Sequence, residues 1–378
     1  MRILYWESSF WPRLGGAEVF GMALVRGLRA RGHTLQVIAS HWPGKSRMPD
    51  LMDFEGTPVH RLPMVEALQQ HDPLALATVR RQVAACVRDF APEVCHVNSQ
   101  DITAYFLGAL GRCPSVVTVH SSATFRLGAD SLMGRLLTSA AAVVGVSRAM
   151  SDDARALRPE IAPRLVTLLN ALPPPAAGES APVDPNRLLA AGRLVVEKGF
   201  DVLLAALARL RPRWPALRLV LLGDGPVRGA LEAQAAALGL ADAVEFRGWV
   251  APERVHAEMQ QSALIVMPSV WREPFGLVAL QAAQAGRPLV ASATGGIPEI
   301  VAPEQTGLLV PPGDADALAG AIERLLQDPA RAAAMGAAAS LHARTQFDFD
   351  RFVTRYETLL ATVAAGGALP VADGALWP

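Results

Sequence analysis

An arginine and a lysine stand five positions apart in Gly192-Arg193-Leu194-Val195-Val196-Glu197-Lys198-Gly199-Phe200, just ahead of a stretch with helical spacing. Lys198 and Lys45 are the only lysines in a chain of 378 residues whose lysines and arginines together number 35. A lysine retained where arginine has otherwise replaced it offers a compact point charge for a phosphate oxygen, and Arg193 adds a planar fork. The unpaired N–H groups of a helix start would reinforce both, so the segment has the chemistry of a pyrophosphate site. A solvated surface lysine is the plainer alternative.

A carboxylate with a comparable setting is Glu273, in Pro268-Ser269-Val270-Trp271-Arg272-Glu273-Pro274-Phe275-Gly276-Leu277. It stands between a strand pattern and a helix that begins at a glycine. There it can accept hydrogen bonds from hydroxyls or cap the helix. His120 closes the apolar run Ser115–His120, a position for polar chemistry at a strand end. Gly15-Gly16 follows the first strand pattern, and Gly223-Asp224-Gly225-Pro226 and Gly248 follow later ones. With no Cβ, these turns allow backbone N–H groups close to a ligand, or they are plain turns.

The elements that must hold these residues read as strands alternating with helices. Strand patterns cover Arg2–Trp6, Thr34–Ala39, Val94–Val97, Ser115–His120 and Ala142–Val146, with helical spacing over Ala17–Arg31 and Leu74–Phe90. The proline-rich segment Pro173–Pro182 breaks the pattern. It then restarts, with strands at Arg187–Ala191, Arg218–Leu222, Val244–Phe246, Leu264–Met267, Leu289–Ala291 and Gly307–Val310. Helical patterns fall at Phe200–Arg211, Arg228–Leu238, Gly276–Ala285 and Asp316–Leu326. Such alternation predicts an α/β fold of two Rossmann-like, doubly wound domains. Ligands of these sheets bind beyond the carboxyl ends of the strands, which places the expected site in a cleft where the two domains face each other. The predicted organisation is an N-terminal domain over 1–172, a linker over 173–186 and a C-terminal domain over 187–346. A helix over 347–363 packs back on the N-terminal domain, and a flexible tail covers 364–378.

Bulk composition narrows the function classes. The formal net charge is zero, which excludes a nucleic-acid binder driven by bulk electrostatics, although the first 170 residues carry slightly more basic than acidic side chains. Cys86, Cys95 and Cys113 lack the spacing of a metal site or redox pair and fit a reducing compartment. Glu7 follows Met1–Trp6 at once, where a signal peptide would have an apolar core, and no run of apolar residues reaches membrane-spanning length. The expected location is cytoplasmic. Phe125, Arg126, Leu132, Met133 and Arg135 could form a small amphipathic face for weak peripheral contact at the inner side of a membrane, or an ordinary packed helix.

Taken in order, these segments, with Gly15-Gly16-Ala17-Glu18, Thr118-Val119-His120, Ser147, Phe246-Arg247-Gly248 and Gly295-Gly296-Ile297-Pro298-Glu299, resemble the family-4 glycosyltransferases of GT-B fold over nearly the whole chain. The resemblance implies a retaining enzyme that moves a sugar from a nucleoside-diphosphate sugar to an acceptor hydroxyl, in glycan, glycolipid or envelope polysaccharide synthesis. It assigns catalytic roles to His120, Arg193, Lys198 and Glu273. It assigns donor binding to Gly15, Gly16, Gly223, Gly248, Phe275, Gly276, Leu277 and Gln281. No cofactor and no metal are expected, since Arg193 and Lys198 would supply the positive charge that the departing diphosphate needs. The expected partners are the nucleotide-sugar donor and a glycan or lipid-linked acceptor, with Trp6, Phe10, Trp11 and Ser121–Leu136 as acceptor contacts. With no carboxylate pair evident for double displacement, attack from the departing side is the expected route.

Two positions depart from the family pattern. Gln281 stands where the family carries a second glutamate for the nucleotide ribose, and Asn170-Ala171 replaces Asn-Gly, which disfavours a left-handed turn. Asp314-Ala315-Asp316 and Asp348-Phe349-Asp350 have the form of a metal motif, but the first reads as a helix cap and the second lies outside the predicted cleft. Ser147 reads as the cap of the helix after it. The alternatives are a non-catalytic sugar-nucleotide-binding or scaffold subunit, favoured by Gln281, and a sugar-nucleotide 2-epimerase.

Overall fold

The computed structural model describes residues 1–12, 15–42, 48–98, 100–175 and 182–369. The chain divides into two compact units, Met1–Asn170 with the segment from Asp350 onward, and Ala171–Phe349.

The first unit is built on β1 (Arg2–Trp6), α1 (Gly16–Ala30), β2 (Thr34–Ser40), β3 (Leu51–Phe54), β4 (Thr57–Leu62), α2 (Met64–Gln70), α3 (Pro73–Phe90), β5 (Val94–Val97), β6 (Ser115–Val119), α4 (Leu132–Ser139), β7 (Ala142–Gly145), α5 (Arg148–Leu157) and β8 (Leu165–Thr167). Its eight strands run β3-β4-β2-β1-β5-β6-β7-β8. All pairings are parallel except β3 with β4, a hairpin closed by Glu55 and Gly56 at φ 52° and 81°. Both faces of the parallel strands are covered, so β1, β5 and β7 are almost entirely buried and read as continuous apolar runs. The C-terminal helix Phe349–Ala364 belongs to this unit. Its Phe352 packs edge-on to Phe20 at 5.6 Å, and its Tyr356 hydroxyl lies 3.2 Å from Thr118 Oγ1. At the helix surface, Glu357 pairs with Arg31 and His33.

The second unit contains β9 (Asp184–Ala191), α6 (Phe200–Leu210), β10 (Arg218–Leu222), α7 (Arg228–Ala237), β11 (Val244–Gly248), α8 (Pro252–Gln260), β12 (Ser262–Met267), α9 (Leu277–Gln284), β13 (Leu289–Ser292), α10 (Ile297–Ile300), β14 (Gly307–Val310), α11 (Ala315–Gln327) and α12 (Pro329–Gln346). The strand order β11-β10-β9-β12-β13-β14 makes a wholly parallel sheet that starts in the middle and winds outward both ways. The core joins Leu188, Leu219 and Leu264 of the sheet to Leu203 and Leu207 of α6 and Ile322 of α11. Between β9 and β12 the winding reverses, and loops after those two strands must diverge there. That point is where a doubly wound sheet opens a crevice for a ligand.

Several boundaries differ from the sequence reading. β9 begins at Asp184, inside the segment expected to be linker, because Asp184 Oδ1 accepts from Asn186 N and its backbone pairs with Ser262 of β12. Residues 176–181 of that linker and 370–378 of the expected tail lie outside the described residues. Ala171 takes no left-handed conformation, in keeping with the loss of glycine there. Among the described residues, no helix is long and apolar enough to cross a membrane. The proposed amphipathic face is not assembled: Phe125 and Met133 are buried in the core at 1% and 7% exposure, leaving Arg126 and Arg135 exposed.

Candidate active site

In the second unit, the chain leaves β9 at Gly192, makes a single tight helical turn over Val196–Lys198 and enters α6 through Gly199 in the left-handed conformation, φ 64°. A Cβ at Gly199 would lie 2.1 Å from the carbonyl oxygen of Pro268, so only glycine lets this loop press against the one that follows β12. Val270 N donates to Glu197 O at 3.0 Å and stitches the two loops together. The consequence is a contact between residues 75 positions apart: Lys198 Nζ donates to Glu273 Oε1 at 2.6 Å. Ser269 Oγ donates to the same oxygen at 2.6 Å. Oε2 has no hydrogen-bond partner among the described residues.

Glu273 is 4% exposed, its partner's side chain 23%. The Lys198 ammonium also sits 5.7 Å from the centre of the Trp271 ring, a distance at which the ring face attracts a cation. Gly295 lies against the backbone of Glu273. A Cβ there would lie 1.9 Å from Glu273 O, and Gly296 N donates to that carbonyl at 2.9 Å. Glu273 is therefore no helix cap. Gly276 is the N-cap residue of α9, which makes no side-chain capping bond.

The other donor-side residues are placed unevenly. Arg193 is exposed and has no ion-pair partner among the described residues, so its fork is available to an anion. Gly223, just past β10, donates its N–H to the carbonyl of Gly248, the last residue of β11, at 2.7 Å, and Leu194 N donates to Asp224 O. Leu277 and Gln281 are half-buried and one turn apart on α9, hence on one face. Phe275 offers its backbone. Its ring is 2% exposed and packs on Phe347 at 5.7 Å, so only its backbone is left for a ligand. Asp314 caps α11 by accepting from Ala317 N, and Ser147 caps α5 by accepting from Met150 N.

The first unit carries His120 one residue beyond β6, with Gly15 and Gly16 at the start of α1. Gly15 is extended, φ −147°, so the turn does not need glycine for its conformation. The His120 Nε2 atom lies 2.7 Å from Asn98 Oδ1, and its backbone N donates to Gln100 Oε1 at 3.2 Å. Its ring meets Phe20 edge-on at 4.9 Å. Burial pushes the imidazole down to about 4, so it is neutral near pH 7. His96, a β5 residue bonded to Thr118 Oγ1 at 2.7 Å, is pushed down to about 3 by burial and by His120 beside it.

Sequence reasoning missed Glu7 and Asn98. Glu7 is 1% exposed just past β1, and among the described residues neither carboxyl oxygen has a partner in hydrogen-bond geometry, although Asn98 and Tyr5 flank it. Burial first, then the nearby Glu18 and Asp101 charges, hold it well above the usual carboxylate range. Both residues directly follow strands adjacent in the sheet, β1 and β5. Their position just past a strand's carboxyl end was the available signal.

Comparison with known proteins agrees with both halves. Residues 14–174 match the model of Glycosyltransferase Family 4, and residues 177–342 that of Glycosyl transferases group 1. The GDP-mannose-dependent alpha-(1-6)-phosphatidylinositol monomannoside mannosyltransferase of Mycobacterium tuberculosis is 30% identical over 396 residues, covering 96% of this chain and 97% of the relative. The glycogen synthase of that organism is 32% identical over 282 residues, covering 71% and 68%. Among solved structures, sucrose-phosphate synthase from Thermosynechococcus elongatus superposes with a TM-score of 0.83 at 23% identity, covering 97% of this chain and 100% of that one. HepE of Anabaena in complex with UDP and glucose gives 0.75 at 22%, covering 95% and 99%. These structures establish the GT-B fold, and the family models and relatives establish the membership: the chain belongs to glycosyltransferase family 4 and is a glycosyltransferase.

Proposed function

We propose that this glycosyltransferase uses a nucleoside-diphosphate sugar, retains the anomeric configuration and needs no metal. The observation that carries this reading is the Lys198–Glu273 contact at the switch point between β9 and β12. Breaking the anomeric C–O bond leaves growing negative charge on the diphosphate. Lys198 and Arg193 are the groups to stabilise it, with the open start of α6 behind them. Glu273 holds the ammonium through Oε1 and has Oε2 left to accept from a sugar hydroxyl. The acceptor oxygen then bonds to the anomeric carbon on the face from which the diphosphate departs. Its proton passes to the leaving phosphate oxygen, so no further base is required.

Gly223, Gly248, Gly276 and the backbone of Phe275 are assigned to the nucleotide and phosphates, and Leu277 and Gln281 to the ribose. Gly15 and Gly16 are assigned to the donor's phosphate or the acceptor, and His120 to the reacting sugar. The acceptor is proposed to be a glycan or lipid-linked sugar, and the relatives' names make GDP-mannose the first donor to test, with UDP-glucose second. Thermal-shift screening against UDP, GDP and ADP, each with and without a sugar, finds the donor. Transfer is then followed by NMR of the anomeric proton with EDTA present. A product of the donor's own configuration, formed in EDTA, supports the reading; an inverted product or activity lost with the metal refutes it.

A further inference from the structure

Asn98 joins two segments that the proposed function assigns to one reaction. Its backbone N donates to Trp6 O at 2.9 Å, fixing it to the end of β1, and its side-chain Nδ2 donates to Ala17 O in the first turn of α1 at 3.1 Å. That second bond settles which end of the amide faces which neighbour. A carbonyl oxygen only accepts, so Nδ2 must be toward Ala17 and Oδ1 toward His120, 2.7 Å from Nε2. An amide oxygen cannot donate, and the imidazole must therefore carry its proton on Nε2. Gln100 brackets the same residue: its Nε2 donates to Thr118 O at 2.5 Å and its Oε1 accepts from His120 N. The backbone leading into His120 is thereby held, and Phe20 meets the ring edge-on.

We infer that Asn98 is a positioning residue that fixes His120 in the Nε2–H form and leaves Nδ1 as its one acceptor, to be met by a hydroxyl of the sugar substrate. Nδ1 has no hydrogen-bond partner among the described residues. In this form the neutral ring accepts a hydrogen bond from a hydroxyl and stays uncharged. The functional half of the inference rests on His120 serving the reaction, as proposed above. The tautomer does not.

The test uses the full chain labelled with 15N-histidine, the His120 signals being those lost in His120→Asn. Long-range proton–nitrogen correlation at neutral pH is expected to show a protonated Nε2 and a bare Nδ1 in the wild type. Asn98→Leu, close in size but without the acceptor, is expected to populate both tautomers and to lower kcat about tenfold or more with donor KM little changed. A wild-type ring protonated on Nδ1 overturns the inference without recourse to any variant. So does an Asn98→Leu protein with an unaltered tautomer. A shifted tautomer with unchanged kcat overturns the assignment of His120 to the reaction, while Asn98's hold on the ring stands. A donor analogue lacking the contacted hydroxyl is expected to narrow the kcat gap between wild type and Asn98→Leu; an undiminished gap for every deoxy-sugar donor contradicts the hydroxyl contact.

Discussion

The two units solve the same topological problem with opposite electrostatics. Each starts its parallel sheet at an interior strand, β1 or β9, and each gathers polar residues just past the ends of that strand and the neighbour on the far side, β5 or β12. In the second unit these residues are ionic: Lys198 against Glu273, with Arg193 exposed beside them. In the first, Asn98 past β5 holds a neutral His120 from the next strand, β6, and Glu7 past β1 is buried without an ion-pair partner among the described residues. A charged crevice suits a diphosphate, whose leaving charge must be met. A neutral one suits hydroxyls, which need directed donors and acceptors and would be poorly distinguished by a bare charge.

The comparison breaks most visibly at Lys198. Lys198→Ala is expected to lower kcat by about 10² to 10³, the loss typical of one preorganised transition-state contact. It also strands the buried Glu273 carboxylate, at a cost of about 1–3 kcal/mol in unfolding free energy by urea denaturation. Adding Glu273→Gln to it is expected to restore part of that stability but none of the rate. Full additivity in the cycle would mean that the pair does not interact.

Acid should separate the units next. His120 and His96 are held neutral by burial, at about 4 and about 3, whereas both titrate near 6.5 when unfolded. The unfolded chain thus takes up protons first as pH falls below 6.5, and the first unit loses stability progressively down to about pH 4 and beyond. Hydrogen exchange at pH 7 and pH 5 is expected to show protection falling in β5 and β6 before β9 and β12. Equal loss in both sheets would contradict the neutral reading of the first.

Glu7 carries the opposite sign. Its folded-state acidity is suppressed, so its cost to the fold grows as pH rises above the usual carboxylate range. Glu7→Gln is expected to raise the melting temperature at pH 8 and leave it nearly unchanged at pH 4. A variant that is destabilised equally at both would show that the carboxyl is satisfied and charged. The smallest effect is expected at Gln281. Gln281→Glu should leave donor affinity unchanged or tighten it up to about tenfold, as a charge-assisted bond would. A large loss of affinity, measured calorimetrically, would remove Gln281 from the ribose.

The sequence made most of the parallel core legible, because buried strands are short apolar runs and their helices keep a 3.6-residue stripe. It hid elements whose signal is something else. The β3–β4 hairpin turns on Glu55-Gly56, not the Asn-Gly or Asp-Gly such a turn favours. Glu55 holds its left-handed conformation while its carboxylate pairs with Arg26 and Asp53 caps Gly56 N at 2.6 Å. Helix α12 is built largely of alanine, so no apolar stripe stands out, and Asp328 and Pro329 alone mark its start. Of the site, Lys198 and Glu273 were visible by type and position. Their direct contact was not, since it depends on Gly199 lying against Pro268 across 69 residues of chain. Asn98 was invisible because its importance lies in two side-chain bonds that only the folded β1–β5 edge creates.

Calorimetric titration of wild type and Lys198→Ala with a nucleoside diphosphate and with the matching uncharged nucleoside tests the central claim most directly. The account predicts that the variant binds the diphosphate at least about tenfold more weakly, a difference of about 1.4 kcal/mol, and binds the nucleoside as the wild type does. Equal affinity of the two proteins for the diphosphate would contradict it.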